Sequence, residues 1–191
     1  MAEDGGIVMY VFSFDVESMG LHGIGFAVGW AVFEVTHSAV GEHNVKEVDS
    51  GYLGFDHKLL EYRTNEETLK WLNEHVFPVL PEPNCLTLTD VRRKFWDELQ
   101  KWEAEGAIII ADCGWPVETN FMSQCMTLSG VPPFDGPYPL HDVATMLLAA
   151  GMDPLGEYGR LENELPKHNP TADARQSARM WFEASNSKER G

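Results

Sequence analysis

The chain reads as one α/β domain built on a mixed sheet with helices on both sides. Three observations predict this. An unbroken run of apolar, β-branched and aromatic residues covers Ile7–Phe12, as in a buried strand. Two further strand-like segments follow closely, at 23–35 and 45–55. Helical periodicity then takes over, interrupted by the very apolar segment 107–113, the composition of a strand covered on both faces.

The first strand is expected over 7–16. The second, GIGFAVGWAVFEV, carries glycines that suggest close backbone packing. The third, VKEVDSGYLGF, alternates, and the spacing suits an antiparallel meander with THSAVGEHN as its second turn. Two amphipathic helices are predicted next. One has Leu69, Leu72 and Val76 on its apolar side; the other has Val91, Phe95, Leu99 and Trp102. Thr89 or Asp90 is placed to cap the second helix and Gly106 to end it. After the strand AIIIADC comes a helix over VETNFMSQCMTL, then a Pro/Gly-rich loop through Tyr138. PLHDVATMLLAAG reads as a short strand running into a helix that stops at Gly151. Residues 152–168 read as loop. In the last helix Asn169 is the cap, Pro170 takes the first helical position, and Ala174, Ala178, Trp181 and Phe182 form the apolar side. Residues 184–191 are expected to fray, leaving an ordered core over 7–183. Trp71, Trp96, Trp102 and Trp181 sit at helical spacing and are assigned to the core.

A length of 191 residues suits a single domain with a real core. A net charge of −16 argues against broad adhesion to nucleic acid or anionic membrane. It leaves room for an enzyme that grips a short nucleic-acid end and lets cations neutralise it. Cys85, Cys113 and Cys125 lack metal-finger spacing, which points to reduced thiols in an intracellular, most simply cytoplasmic, compartment. Cys113 is expected to be a small buried residue. No stretch is long and apolar enough to span a membrane.

The segment FSFDVES ends the first strand in two acids. Alternation puts Asp15 and Glu17 on one face, about 7 Å apart. Two carboxylates so placed repel, and a divalent cation with oxygen preference, Mg²⁺ or Mn²⁺, relieves the repulsion. An Asp-x-Glu at a strand end is often no more than a pair of hydrated acids. It gains weight from KHNPTADARQSA, which sets His168 just before a helix cap and Asp173 in the first turns. Histidine accepts protons near neutral pH without special tuning. Carboxylates for metals and a histidine for water make up the inventory of two-metal phosphodiester hydrolysis.

FDVES with MG after it, followed by GFAVGWAVF, resembles the first block of the DEDDh 3′→5′ exonucleases. HNPTADARQSA is similar to their last block, and PLHDVATMLLA to the segment between. EHVFPVLPEPN resembles a small RNase T-like, exoribonuclease branch of that superfamily. The resemblance spans residues 8–182 in order. It implies an RNase H-like mixed sheet of five strands, the first three antiparallel, with helices on both faces. It also implies metal-dependent 3′→5′ exonuclease activity with two Mg²⁺ or Mn²⁺ ions, on 3′ ends of single-stranded RNA or DNA or on short oligonucleotides. Related enzymes often dimerise, so a homodimer is an expectation.

Roles follow from the resemblance. Asp15 and Asp173 would ligate the metal that activates water, and Asp15 would bridge to a second. Glu17 would hold the first metal and orient the 3′ end, and His168 would be the general base. The middle block departs from the family pattern: IIIADCGWPVETNFM offers Asp112 at the strand end and Glu118 at the helix start. The register of ETNFM favours Glu118, with Asp112 as its rival. The backbone around Met19 and Gly20 would approach the terminal sugar, and Trp115 or Phe121 would stack the terminal base. The disrupted middle block keeps an alternative open, a catalytically impaired member of the same fold that binds nucleic acid or a protein.

Overall fold

The computed structural model describes residues 7–37, 43–132 and 135–188. Ten main elements follow in chain order. Strands β1 (Ile7–Ser18), β2 (Gly25–His37) and β3 (His43–Gly54) come first, then helices α1 (Glu66–His75) and α2 (Leu88–Ala104). Strand β4 (Ile108–Ala111), helix α3 (Thr119–Leu128), strand β5 (His141–Asp142), and helices α4 (Val143–Ala149) and α5 (Pro170–Lys188) complete the chain. The sheet order is β3-β2-β1-β4-β5. β1 pairs antiparallel with β2 and β2 with β3, while β4 runs parallel to β1 and β5 parallel to β4. The fold is therefore α/β on a mixed five-stranded sheet. The turn expected at 36–44 lies partly outside the described residues.

Alternation along β1 divides its side chains between two layers. Phe12, Phe14 and Val16 pack with Val91, Phe95 and Leu99 of α2 and with Phe121, Met122 and Cys125 of α3. Val11 points the other way, into a cluster with Val143 and Leu147 of α4 and Ala178, Met180 and Ala184 of α5. Helices thus cover both faces. Phe12, Phe14, Phe95 and Phe121 are fully buried in the first layer, each worth roughly 1.5–3 kcal/mol of apolar burial. A third, smaller cluster seats α1: Leu72 and Val76 meet Met19, Phe26 and Leu60.

The odd-numbered face of β1 is the one that carries Asp15 and Glu17, so both acids point toward α5. The start of α5 comes close because β2 offers no side chain beneath it. Gly29 pairs with Asp15 in the β1–β2 register. A Cβ at Gly29 would fall 2.2 Å from the Thr171 nitrogen and 2.4 Å from the Pro170 carbonyl carbon. Asn169 caps α5 by accepting from the Ala172 N–H, and Pro170 occupies the first helical position. The Thr171 hydroxyl donates to the Gly51 carbonyl of β3, tying the helix start across the sheet.

Several expectations are corrected. Thr87, not Thr89 or Asp90, caps α2 by accepting from the Asp90 N–H. The helix begins at Leu88, three residues before Val91, the first residue of its apolar stripe. α5 continues through Lys188 instead of fraying from 184, and Ala184 is fully buried against the sheet. Trp96 is buried, and Trp102 and Trp181 pack on the core edges. Trp71 does not join them and is 45% exposed. It stands one residue, about 100° of helix, away from the buried Leu72. Cys113 is exposed, because β4 ends at Ala111 and the chain leaves the sheet there. Among the described residues, no helix is long and apolar enough to cross a membrane.

Candidate active site

A cleft of about 670 Å³ opens where β1, α1, the end of β4 and the start of α5 meet. Asp15, Glu17, Asp112, His168 and Asp173 all line it. The strand end, the helix start and the β4 exit therefore bring together groups separated by up to 158 positions in the chain. Glu17, His168 and Asp173 each offer a ligand atom, and those atoms lie within 4.8 Å of one another. His168 Nδ1 is 3.8 Å from Glu17 Oε1.

Electrostatics mark the acids as under-compensated. Burial pushes Asp15 well above the usual carboxylate range, and repulsion from Asp173, Glu17, Glu118 and Asp112 adds to it, in that order. Glu17 is raised to about 8, first by burial and then by Asp173 and Glu118. Asp173 is also raised by burial, against the lowering effects of Arg160 and His168. Carboxyls in this condition hold protons or attract a cation. The donor set, oxygen-rich with one imidazole, could hold a metal ion. Glu17, His168 and Asp173 are the residues placed to hold it, with Asp15 lining the same cleft.

The two rivals of the middle block occupy different places. Asp112 is exposed on the cleft wall. The protein mass around it raises its carboxyl, with Asp173 and Asp142 adding to the shift and Arg160 opposing it. Glu118 is buried behind the wall, at the start of α3. Burial raises it to about 7, and the backbone N–H of Val16, between Asp15 and Glu17, bonds its carboxylate. Of the two, Glu118 acts more strongly on Asp15.

His168 has a left-handed backbone, φ 66°, uncommon for a residue with a side chain. In that conformation its N–H donates to Asp173 Oδ2 at 3.0 Å. One residue thus presents an imidazole to Glu17 while its main chain holds Asp173. Burial lowers the His168 pKa below the ordinary 6.5, with Asp173 opposing and Lys167, Arg160 and His75 assisting. Desolvation thus outweighs the raising effect of the neighbouring carboxylate.

The substrate-contact expectations change more. Phe121 is 1% exposed and packs against Phe95 at 5.4 Å, so its ring belongs to the core and is not a stacking surface. Trp115 is exposed but does not line the cleft. The aromatic that does line it is Trp71, whose ring meets the His168 ring edge-on at 5.2 Å. The Met19 side chain is buried under α1, and its N–H is spent on the Ile24 carbonyl. Gly20 lines the cleft with φ 90°, a conformation glycine adopts without strain.

Sequence reasoning also missed Arg160. It lies in the 152–168 loop, which α5 clamps from outside: Arg179 donates to Glu164 and to the Gly159 carbonyl, and Gln176 donates to the Tyr158 carbonyl. So held, Arg160 pairs with Asp173 Oδ1 and donates to the Glu164 carbonyl. An arginine eight residues before His168, in a chain with 14 basic and 30 acidic residues, was the available signal.

The chain matches no family model, and no curated protein matches it significantly.

Proposed function

We propose that this chain is a metal-dependent 3′→5′ exonuclease of the DEDDh type, with an RNase H-like sheet, acting on the 3′ ends of single-stranded RNA or DNA or on short oligonucleotides. One observation carries the reading. Asp15 and Glu17 from one end of the chain, and His168 and Asp173 from the other, line a single cleft with Asp112, and Glu118 lies behind it. Acids that only decorated a strand end would not need a helix from the far end of the chain to crowd them.

Two divalent ions, when bound, would neutralise phosphate charge and make water a better nucleophile. The residues of the chain supply the rest. Asp15, Glu17 and Asp173, with Glu118 or Asp112, provide the anionic cradle. Burial lowers the His168 pKa and so favours the neutral imidazole, the form that accepts a proton from the attacking water. Its own N–H holds Asp173 in place. Trp71 offers an aromatic surface for the terminal base beside that imidazole, and the Gly20 backbone gives the sugar room. The −16 charge suits a substrate gripped at its end, not along its length.

The test is release of mononucleotides from a 5′-labelled single strand with Mn²⁺, and its abolition by chelator and by Asp15→Asn. A ladder shortening from the 3′ end supports the reading. Intact substrate in the presence of tightly bound Mn²⁺ favours the second reading, a binding module of the same architecture. The Arg160 pairing of Asp173 is the observation on that side, because it engages one of the cradle acids.

A further inference from the structure

Arg160 stands out among the groups around the cleft because it occupies an oxygen the proposed chemistry needs. Its Nη1 pairs with Asp173 Oδ1, while the other oxygen, Oδ2, accepts from the His168 N–H. Both oxygens of Asp173 are therefore engaged before any cation arrives. The Arg160 and Asp173 side chains are 16% and 14% exposed, so this is a shielded pair, not a surface contact of little consequence. The guanidinium borders two spaces. One is the acidic cleft; the other, of about 550 Å³, adjoins it and is lined by Arg160 with Pro154, Leu155, Tyr158, Gln176 and Met180. Lys167 lines both as well. In a chain with 30 acidic and 14 basic residues, two cations, Arg160 and Lys167, stand with Asp112 where the two clefts adjoin.

We propose that Arg160 is a counter-charge that Asp173 exchanges for a divalent cation, and that the released guanidinium then binds a phosphate of the substrate. This rests on the exonuclease reading. The exchange is favourable in electrostatic terms. A divalent cation supplies two charges where the guanidinium supplies one, and the freed planar fork matches phosphate oxygens in two parallel hydrogen bonds. Arg160 has the means to move, since among the described residues its other hydrogen bond is to the Glu164 carbonyl. Glu164 itself stays anchored by Arg179. The arginine thereby couples the two occupants of the cleft: metal first, then phosphate. It touches substrate in this scheme and also sets metal affinity.

The experiment titrates MnCl₂ into the metal-free full chain by calorimetry, for the unaltered protein, Arg160→Gln, Arg160→Met and Lys167→Gln. Adenosine 5′-monophosphate is then titrated into each at saturating Mn²⁺. Arg160→Gln and Arg160→Met should bind Mn²⁺ at least about threefold tighter, because the competitor is gone. Both should bind the monophosphate about tenfold weaker, the loss expected for a charge-assisted pair of bonds. Lys167→Gln should weaken the monophosphate but leave Mn²⁺ affinity within about twofold, because it has no ion pair to Asp173 to release. The Met variant keeps the aliphatic stem, so it decides the matter if the Gln variant does not fold. Unchanged or weaker Mn²⁺ binding in the Arg160 variants overturns the exchange, as does an equal tightening in Lys167→Gln, which would reveal a general field effect. Absence of any Mn²⁺ binding by the unaltered protein overturns the exonuclease reading itself, a different result from Mn²⁺ binding that ignores Arg160.

Discussion

Gly29 sits directly opposite Asp15 in the β1–β2 register, and the backbone of Thr171 fills the space where a Gly29 side chain would stand. The missing side chain lets the first turn of α5 settle onto the sheet and carry Asp173 to Asp15. Gly29→Ala should therefore do more than strain the core. The obstructing atoms are backbone, at 2.2 and 2.4 Å, and cannot rotate aside as a side chain would. Overpacking of this kind costs about 1–3 kcal/mol, a Tm loss of about 2–4 °C for each. Lifting α5 should also weaken Mn²⁺ binding at least about tenfold, read by calorimetry. A variant with unaltered Tm and metal affinity would mean that α5 is not seated there.

The pH dependence of the metal-free protein follows from Glu17. Its folded-state pKa, about 8, lies above the ordinary value of 4.5. A carboxyl raised in this way is easier to keep protonated when folded. Its contribution to stability is full below about 4.5 and is lost as pH rises toward about 8. Glu17→Gln removes the titration while keeping the shape. In chelator, the Tm of the variant should exceed that of the unaltered protein by a margin that grows from pH 4.5 to pH 8 and then levels. Saturating Mn²⁺ at pH 8 should close the margin or reverse it. A margin independent of pH would show that Glu17 is solvated and carries no such strain.

The middle block separates by the same logic. Glu118 is buried beside the β1 backbone and raises Asp15 more than Asp112 does. Glu118→Gln should abolish Mn²⁺-dependent turnover, leaving the far-ultraviolet circular dichroism unaltered. Asp112→Asn should reduce turnover less, because that carboxylate is already open to water on the cleft wall. Reversed effects in a single-turnover assay would transfer the role to Asp112.

Much of the frame was legible because local rules and tertiary structure agree. Alternation alone put Asp15 and Glu17 on one face, and Asn169-Pro170 announced the start of α5 through cap chemistry that needs no partner. What escaped depends on which neighbour arrives. Phe121 and Trp71 are both aromatics on helices, and nothing in their spacing separates them. α3 packs on α2 and buries Phe121 against Phe95, whereas α1 buries Leu72 and leaves Trp71 lining the cleft. Arg160 lies in a stretch without periodicity, and its position is set by bonds to α5, many residues away. The lowering of the His168 pKa comes first from desolvation, which a sequence does not display.

His168 is the residue whose chemistry can be isolated most cleanly. Its φ of 66° makes alanine a poor replacement, since a Cβ without local hydrogen bonding is disfavoured there, whereas asparagine tolerates it. His168→Asn should keep the backbone N–H bond to Asp173 and remove only the base. At saturating Mn²⁺ the acids are held ionised, so the acid limb of the rate belongs to the imidazole. Burial places that limb below the ordinary 6.5, and the unaltered enzyme should already be on its plateau at pH 7. The variant should turn over roughly 10²–10⁴-fold more slowly, the usual contribution of a positioned base, and its rate should lose the limb. Mn²⁺ affinity is the discriminating measurement, because the imidazole, Glu17 and Asp173 lie within ligand reach of one another. Asp15→Asn should weaken Mn²⁺ binding outright by removing a charged ligand. If His168→Asn weakens it as severely, the imidazole is itself a ligand and the base must be sought elsewhere. If it costs rate and the pH limb while metal affinity holds within a few-fold, proton acceptance is its role.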